Sequence, residues 1–99
     1  MSEKLIYKED IKTDVKKPKL YHVLIHNDDY TPMEFVVEII VRIFHKKVPE
    51  ATKIMYEVHN KGQGNVGAYP FDIAASKVSL VHAYARENGY PLKASLKEE

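Results

Sequence analysis

Residues 27–36 read NDDYTPMEFV, a carboxylate-rich turn that leads directly into a predicted helix. Thr31 is a preferred N-cap residue, Pro32 suits the first helical position, and Glu34 completes a capping box. The segment therefore predicts that an amide and two carboxylates are held at a rigid helix entrance, beside the apolar side chains of the first turn.

The three polar residues of this turn, Asn27, Asp28 and Asp29, admit two interpretations. In the first, they form an Asx turn and a helix cap and have only a structural role. In the second, their amide and carboxylate oxygens bind an ammonium group, directly or through water. Met33 lies just inside the helix start, and methionine is an adaptable lining for binding surfaces. The spacing leaves both interpretations open.

A second candidate is the group Met55, Val58 and His59 in a predicted helix. Residues three or four apart lie on the same face of a helix, so these side chains are neighbours. They either pack in the core with the histidine facing solvent, or they form one wall of a pocket. In a pocket, a neutral His59 accepts a hydrogen bond from a bound amine.

Outward from residues 27–36, the hydrophobic pattern predicts an α+β domain with the element order β-α-α-β-α-β. Residues 20–26 are rich in β-forming side chains, and weaker strand patterns occur at 66–71 and 92–96. Residues 63–65 are predicted to form a turn. We therefore expect a small three-stranded antiparallel sheet packed against helices.

Three apolar stripes with three- and four-residue spacing predict the helices. The first helix begins after Thr31, and the second begins at Pro49 and ends at Gly62, a C-cap residue. The third is predicted to be capped by Asp72 and to end at Asn88.

The composition of the chain argues against several classes of protein. Its 99 residues support one domain with a core too small to enclose a large cavity, so a ligand site should be a shallow surface pocket. Lys and Arg number 15 and Asp and Glu 14, and this balance argues against a nucleic-acid or membrane-surface partner. The sequence has no cysteine, no targeting pattern and no apolar run of membrane-spanning length, so we expect a cytoplasmic protein.

The residue pattern does not favour an enzyme. The five histidines lack the spacing of a metal site, and no glycine-rich phosphate loop is present. A hydrolase built on Asp28, Asp29 and His59 is conceivable, since histidine is the usual general base, but no serine or lysine nucleophile motif accompanies them. We therefore expect a protein without catalysis, bound metal or cofactor.

Residues 1–19 combine six lysines with four acidic residues and few apolar ones. Such a segment cannot bury enough apolar surface to offset its ordering entropy. We expect a flexible N-terminal extension at 1–19, which is either a mere terminus or a contact arm for a partner. The folded core is expected at 20–99.

Taken together, these residues resemble a known family. The segment 27–36 is similar to the signature of the ClpS adaptors, which deliver N-degron substrates to the Clp ATP-dependent protease. Supporting similarity lies at Ala51-Thr52 to Met55, Val58-His59, Lys77-Val78, Tyr84 to Asn88 and Pro91-Leu92. The resemblance covers about residues 21–96 and implies a compact adaptor with a three-stranded antiparallel sheet and three helices, which is not itself an enzyme.

The resemblance implies that the chain binds the free α-amino group and the bulky side chain of an N-terminal Leu, Phe, Tyr or Trp. The α-amine would be held by Asn27, Asp29 and His59. Met33 would act as a gate that disfavours β-branched first residues. The hydrophobic pocket would be formed or flanked by Ile25, Asp28, Thr31, Pro32, Met33, Val36, Met55, Val58 and Leu92.

The resemblance also implies a partner, the N-terminal domain of a ClpA- or ClpC-type AAA+ unfoldase. Among the positions that contact this domain in the family, Lys77 matches, Asp72 stands where the family often has Glu, and Ala75 replaces a second acid common in some members. His26 replaces an apolar residue common just before the asparagine. A monomer is expected because no second apolar face is evident. The rival hypothesis is a regulatory domain that docks on a AAA+ unfoldase without reading N-termini.

Overall fold

A computed structural model gives the architecture of the chain and describes residues 17–99. The elements are β1 (Leu20–His26), α1 (Met33–Phe44), α2 (Val48–Lys61), β2 (Gln63–Pro70), α3 (Phe71–Glu87) and β3 (Lys93–Glu98). The predicted α+β class and the predicted element order are confirmed. Of the predicted extension at 1–19, residues 1–16 lie outside the described residues.

The sheet is antiparallel, with β1 in the centre of the order β2-β1-β3. Along β1, Val23 and Ile25 are fully buried, whereas His22, Leu24 and His26 alternate with them and are half-buried. This alternation places one face of the sheet in the core and turns the other face outward. All three helices contact the sheet, and within residues 17–99 no helix is long and apolar enough to cross a membrane.

A glycine sets how closely β2 approaches α2. A Cβ atom on Gly64 would lie 2.8 Å from Cγ2 of Val58 and 3.2 Å from the carbonyl oxygen of Ile54. Any larger residue would push the helix away from the strand. The close approach fixes the last turns of α2 against the sheet.

Two predicted N-caps are wrong. The α1 helix begins after Pro32 and α3 begins after Pro70, and neither has a side-chain cap hydrogen bond. The predicted capping box does not form because Pro32, and not Thr31, occupies the N-cap position, and the Thr31 hydroxyl instead donates to Oδ2 of Asp28 (2.8 Å). Asp72 lies inside the first turn of α3, where its charge complements the helix dipole.

The predicted turn at 63–65 is also wrong, because these residues already belong to β2. Gly62 ends α2 as predicted, with a left-handed φ of 92°, and this single residue redirects the chain. Pairing with β1 therefore starts at once, and Gln63 lies opposite His26.

Candidate functional site

A cavity of about 240 Å³ lies between the turn after β1, the start of α1 and the end of α2. Its lining consists of Asn27, Asp28, Asp29, Thr31, Met33, Val36, Met55, Val58 and His59. The two candidate groups identified in the sequence, at 27–36 and 55–59, therefore meet in one place. The lining of the cavity therefore combines polar and apolar side chains.

The carboxylate of Asp28 holds the turn in shape. Its Oδ1 accepts hydrogen bonds from the backbone N–H groups of Tyr30 (2.8 Å) and Thr31 (2.7 Å), and its Oδ2 accepts one from the Thr31 hydroxyl. Partial burial opposes the charge, but these hydrogen bonds and the nearby positive charge of Arg86 together lower the pKa of Asp28 below its ordinary value. Asp28 is an ionised support of the turn, with both oxygens already engaged.

Backbone hydrogen bonds tie this turn to the end of α2. The N–H of Asn27 donates to the carbonyl of Gly62 (2.9 Å), and the N–H of Gly62 donates to the carbonyl of Val58 (3.0 Å). The two bonds fix the position of Asn27 relative to the last turn of α2, which carries His59.

Three polar side chains, Asn27, Asp29 and His59, line the cavity and belong to exposed residues. They offer an amide oxygen, a carboxylate and an imidazole nitrogen, all of which accept hydrogen bonds when the imidazole is neutral. One negative charge and several acceptors at a single position are suited to a cationic donor such as an ammonium group.

The apolar part of the cavity is made by residues from both helices. Val36, Met55 and Val58 are at most 6% exposed, so their side chains form a packed wall. Met33 stands at the rim and is 38% exposed. Because methionine is unbranched and has three rotatable bonds, Met33 can adjust the width of the opening.

Three residues expected at the pocket do not line the cavity. Ile25 and Leu92 are 0% and 1% exposed and belong to the core. Pro32 is the N-cap residue that immediately precedes α1. Any effect of these residues on the pocket is therefore exerted through the packing behind it.

The two residues expected to contact an unfoldase lie on α3, outside the cavity lining. Asp72 is exposed. Lys77 is half-buried, since its Nζ donates to the carbonyl of Ile43 (2.7 Å) and lies 5.6 and 5.3 Å from the ring centroids of Phe44 and Tyr69. Lys77 thus binds one of the last carbonyls of α1, which carries no partner within its own helix.

Arg86 has a role near the site that sequence spacing did not reveal. Its Nη1 donates to the carbonyls of Tyr90 (2.9 Å) and Leu92 (2.8 Å), which fixes the segment between α3 and β3. These bonds depend on the path of the chain after the helix, so no periodicity in the sequence signals them.

A larger depression, of about 480 Å³, is a weaker candidate for a ligand that is cationic at one end and apolar at the other. Most residues that line it are polar or charged, including His22, Glu57, Lys61 and Lys97. Among residues 17–99, no three His, Cys, Asp or Glu side chains converge to hold a metal ion. The smaller cavity is the one that combines hydrogen-bond acceptors with a buried apolar wall.

Comparison with known sequences gives consistent matches. A family model described as the ATP-dependent Clp protease adaptor protein ClpS matches residues 16–95. The ClpS adapter of Acetivibrio thermocellus is 52% identical over 99 residues, with 100% of both chains covered. The ClpS adapter of Clostridium acetobutylicum is 49% identical over 100 residues, with 99% of each chain covered.

Comparison with solved structures identifies a similar fold. The structure of Agrobacterium tumefaciens ClpS2 bound to L-phenylalaninamide matches with a TM-score of 0.81 and 34% sequence identity. The match covers 84% of this chain and 100% of that one.

Proposed function

Because the chain belongs to the ClpS family of adaptor proteins of the ATP-dependent Clp protease, we propose that it binds N-degron substrates in the cavity between α1 and α2. The α-amino group is held by Asn27, Asp29 and His59, and the first side chain, Leu, Phe, Tyr or Trp, lies against the apolar wall. The observation that carries this proposal is the pairing of these acceptors with buried apolar residues in one cavity of about 240 Å³.

The chemistry of an N-terminus fits these residues. A free α-amine has a pKa near ~8 and is therefore mostly cationic at neutral pH. Hydrogen bonds to a charged group contribute about 1.5–3 kcal/mol each, and burial of a Leu or Phe side chain adds about 1.5–3 kcal/mol. After the cost of ordering the peptide, these contributions leave a Kd on the order of micromolar.

The ligand of the structural relative supports the same class of substrate. L-Phenylalaninamide carries a free α-amine, a phenyl ring and an amide in place of a carboxylate, so it resembles the first residue of a peptide. Agrobacterium tumefaciens ClpS2 binds it and shares 34% of its sequence with this chain. An equivalent binding mode here places the amine at the polar end of the cavity.

Delivery of the substrate requires a surface for the unfoldase, and the start of α3 is the best-suited region. Asp72 is flanked there by Phe71 and Ile73, which are 53% and 48% exposed. An acidic side chain between exposed apolar ones fits a partner surface that is apolar with a basic contact. We assign this region to the N-terminal domain of a ClpA- or ClpC-type unfoldase, with the adaptor acting as a monomer.

Substitution of the amine-binding residues tests the proposal. Asp29→Ala and His59→Ala are expected to abolish unfoldase-dependent degradation of a reporter that begins with Phe, while binding to the unfoldase is retained. Asn60→Ala, which removes an exposed neighbour outside the cavity lining, serves as the matched control. Unchanged degradation with both cavity variants would instead favour a docking regulator that does not read N-termini.

A further inference from the structure

A second cavity adjoins the proposed α-amine site. It has a volume of about 320 Å³, and its lining consists of His26, Asn27, Asp28, Tyr30, Pro91 and Lys93. Asn27 and Asp28 also line the first cavity. The two cavities are therefore separated by a single wall, the turn that follows β1.

The walls of this second cavity are held in place by the fold. His26, the last residue of β1, pairs with Lys93, the first residue of β3. Nε2 of His26 lies 2.6 Å from the hydroxyl of Ser95 on the same outer face of the sheet. The carbonyls of Tyr90 and Leu92, the residues before and after Pro91, both accept hydrogen bonds from Arg86. Strand pairing and hydrogen bonds therefore hold the residues on both sides of the cavity in place.

The surface that the second cavity offers to a ligand is mainly apolar. Tyr30 is 77% exposed, and Pro91 is exposed as well. Both oxygens of Asp28 are already engaged with backbone and hydroxyl donors, and His26 is paired with a serine. A tyrosine ring, a proline ring and the stem of Lys93 are suited to contact an aromatic side chain.

We propose that this second cavity is a subsite for an aromatic side chain at the second position of the substrate. The inference rests on the proposed function, since the peptide must first be anchored by its α-amine. In an extended peptide, successive side chains point to opposite sides, about 3.3 Å apart along the chain. With the first side chain between α1 and α2, the second is directed across Asn27 and Asp28 towards Tyr30.

The first residue of the substrate supplies most of the binding energy, and the subsite adds a preference for an aromatic side chain at the second position. A ring packed on Tyr30 is only partly removed from water, so its contribution is modest. An aromatic pair of this kind corresponds to an affinity increase of about fivefold. The protein is therefore expected to distinguish substrates that share the same first residue.

Two peptides that differ only at the second position test the inference on the full chain. Fluorescence anisotropy is measured with labelled peptides beginning Phe-Phe and Phe-Ala, each also in an N-acetylated form. The Kd of the Phe-Phe peptide is expected to be about fivefold lower than that of Phe-Ala. In Tyr30→Ala this ratio falls to about one, because the aromatic wall is lost while the backbone hydrogen bond to Asp28 remains.

A control and the contrary outcomes separate this inference from the proposed function. Tyr56→Ala removes another exposed tyrosine, outside both cavity linings, and is expected to keep the fivefold ratio. Equal affinities in the unmodified protein, or a preference that persists in Tyr30→Ala, would overturn the subsite alone. Binding that does not depend on a free α-amine would overturn the proposed function and the subsite with it.

Discussion

Asn27, Asp28 and Asp29 are adjacent, yet their side chains have different environments. Asp28 accepts three hydrogen bonds from Tyr30 and Thr31 and shapes the turn. Asn27 and Asp29 are exposed and line the cavity. The Asx-turn interpretation thus applies to the central residue, and the arrangement leaves the outer two positioned for the proposed amine. The two interpretations of the sequence are compatible because each concerns a different side chain.

Met33 provides a test of specificity at the level of one residue. Met33→Ala is expected to widen the rim of the cavity and to admit peptides that begin with Ile or Val, whose branched Cβ atoms a narrow opening excludes. We expect the discrimination between Phe and Ile, measured as the ratio of their Kd values, to fall about tenfold or more, about 1.4 kcal/mol.

Glu34→Ala is the matched control for this change, because Glu34 is exposed beside Met33 and is not part of the cavity lining. It is expected to leave the ratio unchanged. Continued exclusion of Ile by Met33→Ala would show that Met33 is not the gate.

At the scale of the helices, Lys77 joins α3 to the end of α1. Its Nζ donates a hydrogen bond to the carbonyl of Ile43 and lies over two aromatic rings. A substitution at Lys77 therefore alters helix packing as well as any surface presented to an unfoldase. Asp72 is exposed, and among residues 17–99 its side chain forms no such link to another helix.

The contrast between these two residues is measurable. Lys77→Met keeps the aliphatic stem but removes the donor, and it is expected to lower the free energy of unfolding by about 1–2 kcal/mol. Asp72→Asn is expected to change it by less than about 0.5 kcal/mol while it weakens unfoldase binding. Urea unfolding and a binding titration with the unfoldase measure both effects. An unchanged stability of Lys77→Met would contradict the structural role of Lys77.

Elements governed by local patterns could be predicted from the sequence, whereas those that depend on distant partners could not. The apolar stripes located all three helices, and Gly62 was correctly identified as the C-cap of α2. The N-cap of α1 was not, because the helix begins one residue later than predicted, with Pro32 as its N-cap. Residues 63–65 form a strand because they pair with β1, and such a distant contact is not described by any short-range rule.

The same distinction applies to the candidate site. The turn motif and the group at residues 55–59 were predicted to serve one ligand, and the fold brings them into one cavity. The burial of Ile25 and Leu92 behind it depends on tertiary packing. The second cavity requires His26 to pair with Lys93, which is 67 residues away in the chain (93 minus 26). Sequence alone signalled only that His26 was unusual.

For the molecule as a whole, His82 links stability to pH. Its Nε2 accepts a hydrogen bond from the backbone N–H of Ala94 in β3 (3.0 Å). Burial, followed by the positive charges of Arg86 and Lys93, lowers the pKa of His82 below its ordinary value, and protonation of Nε2 would also break the bond from Ala94. The unfolded chain binds the proton more readily, so this stabilisation is present above pH ~6.5 and is lost as the pH falls towards the folded value.

His82→Gln tests this linkage, because a glutamine oxygen can accept the same hydrogen bond without titrating. Between pH 7.5 and 5, the unmodified protein is expected to lose about 1 kcal/mol more of its free energy of unfolding than His82→Gln. Urea denaturation at a series of pH values measures the difference. Parallel pH profiles for the two proteins would show that His82 does not contribute.

The central claim is that the protein recognises a free N-terminal residue, and calorimetric titration with two peptides tests it most directly. One peptide begins with Phe, and the other is identical but N-acetylated. We predict a Kd on the order of micromolar for the free peptide and a loss of at least about 100-fold on acetylation, because the charge and its hydrogen bonds are removed. Equal affinity for the two peptides, or no binding of either, would contradict the account.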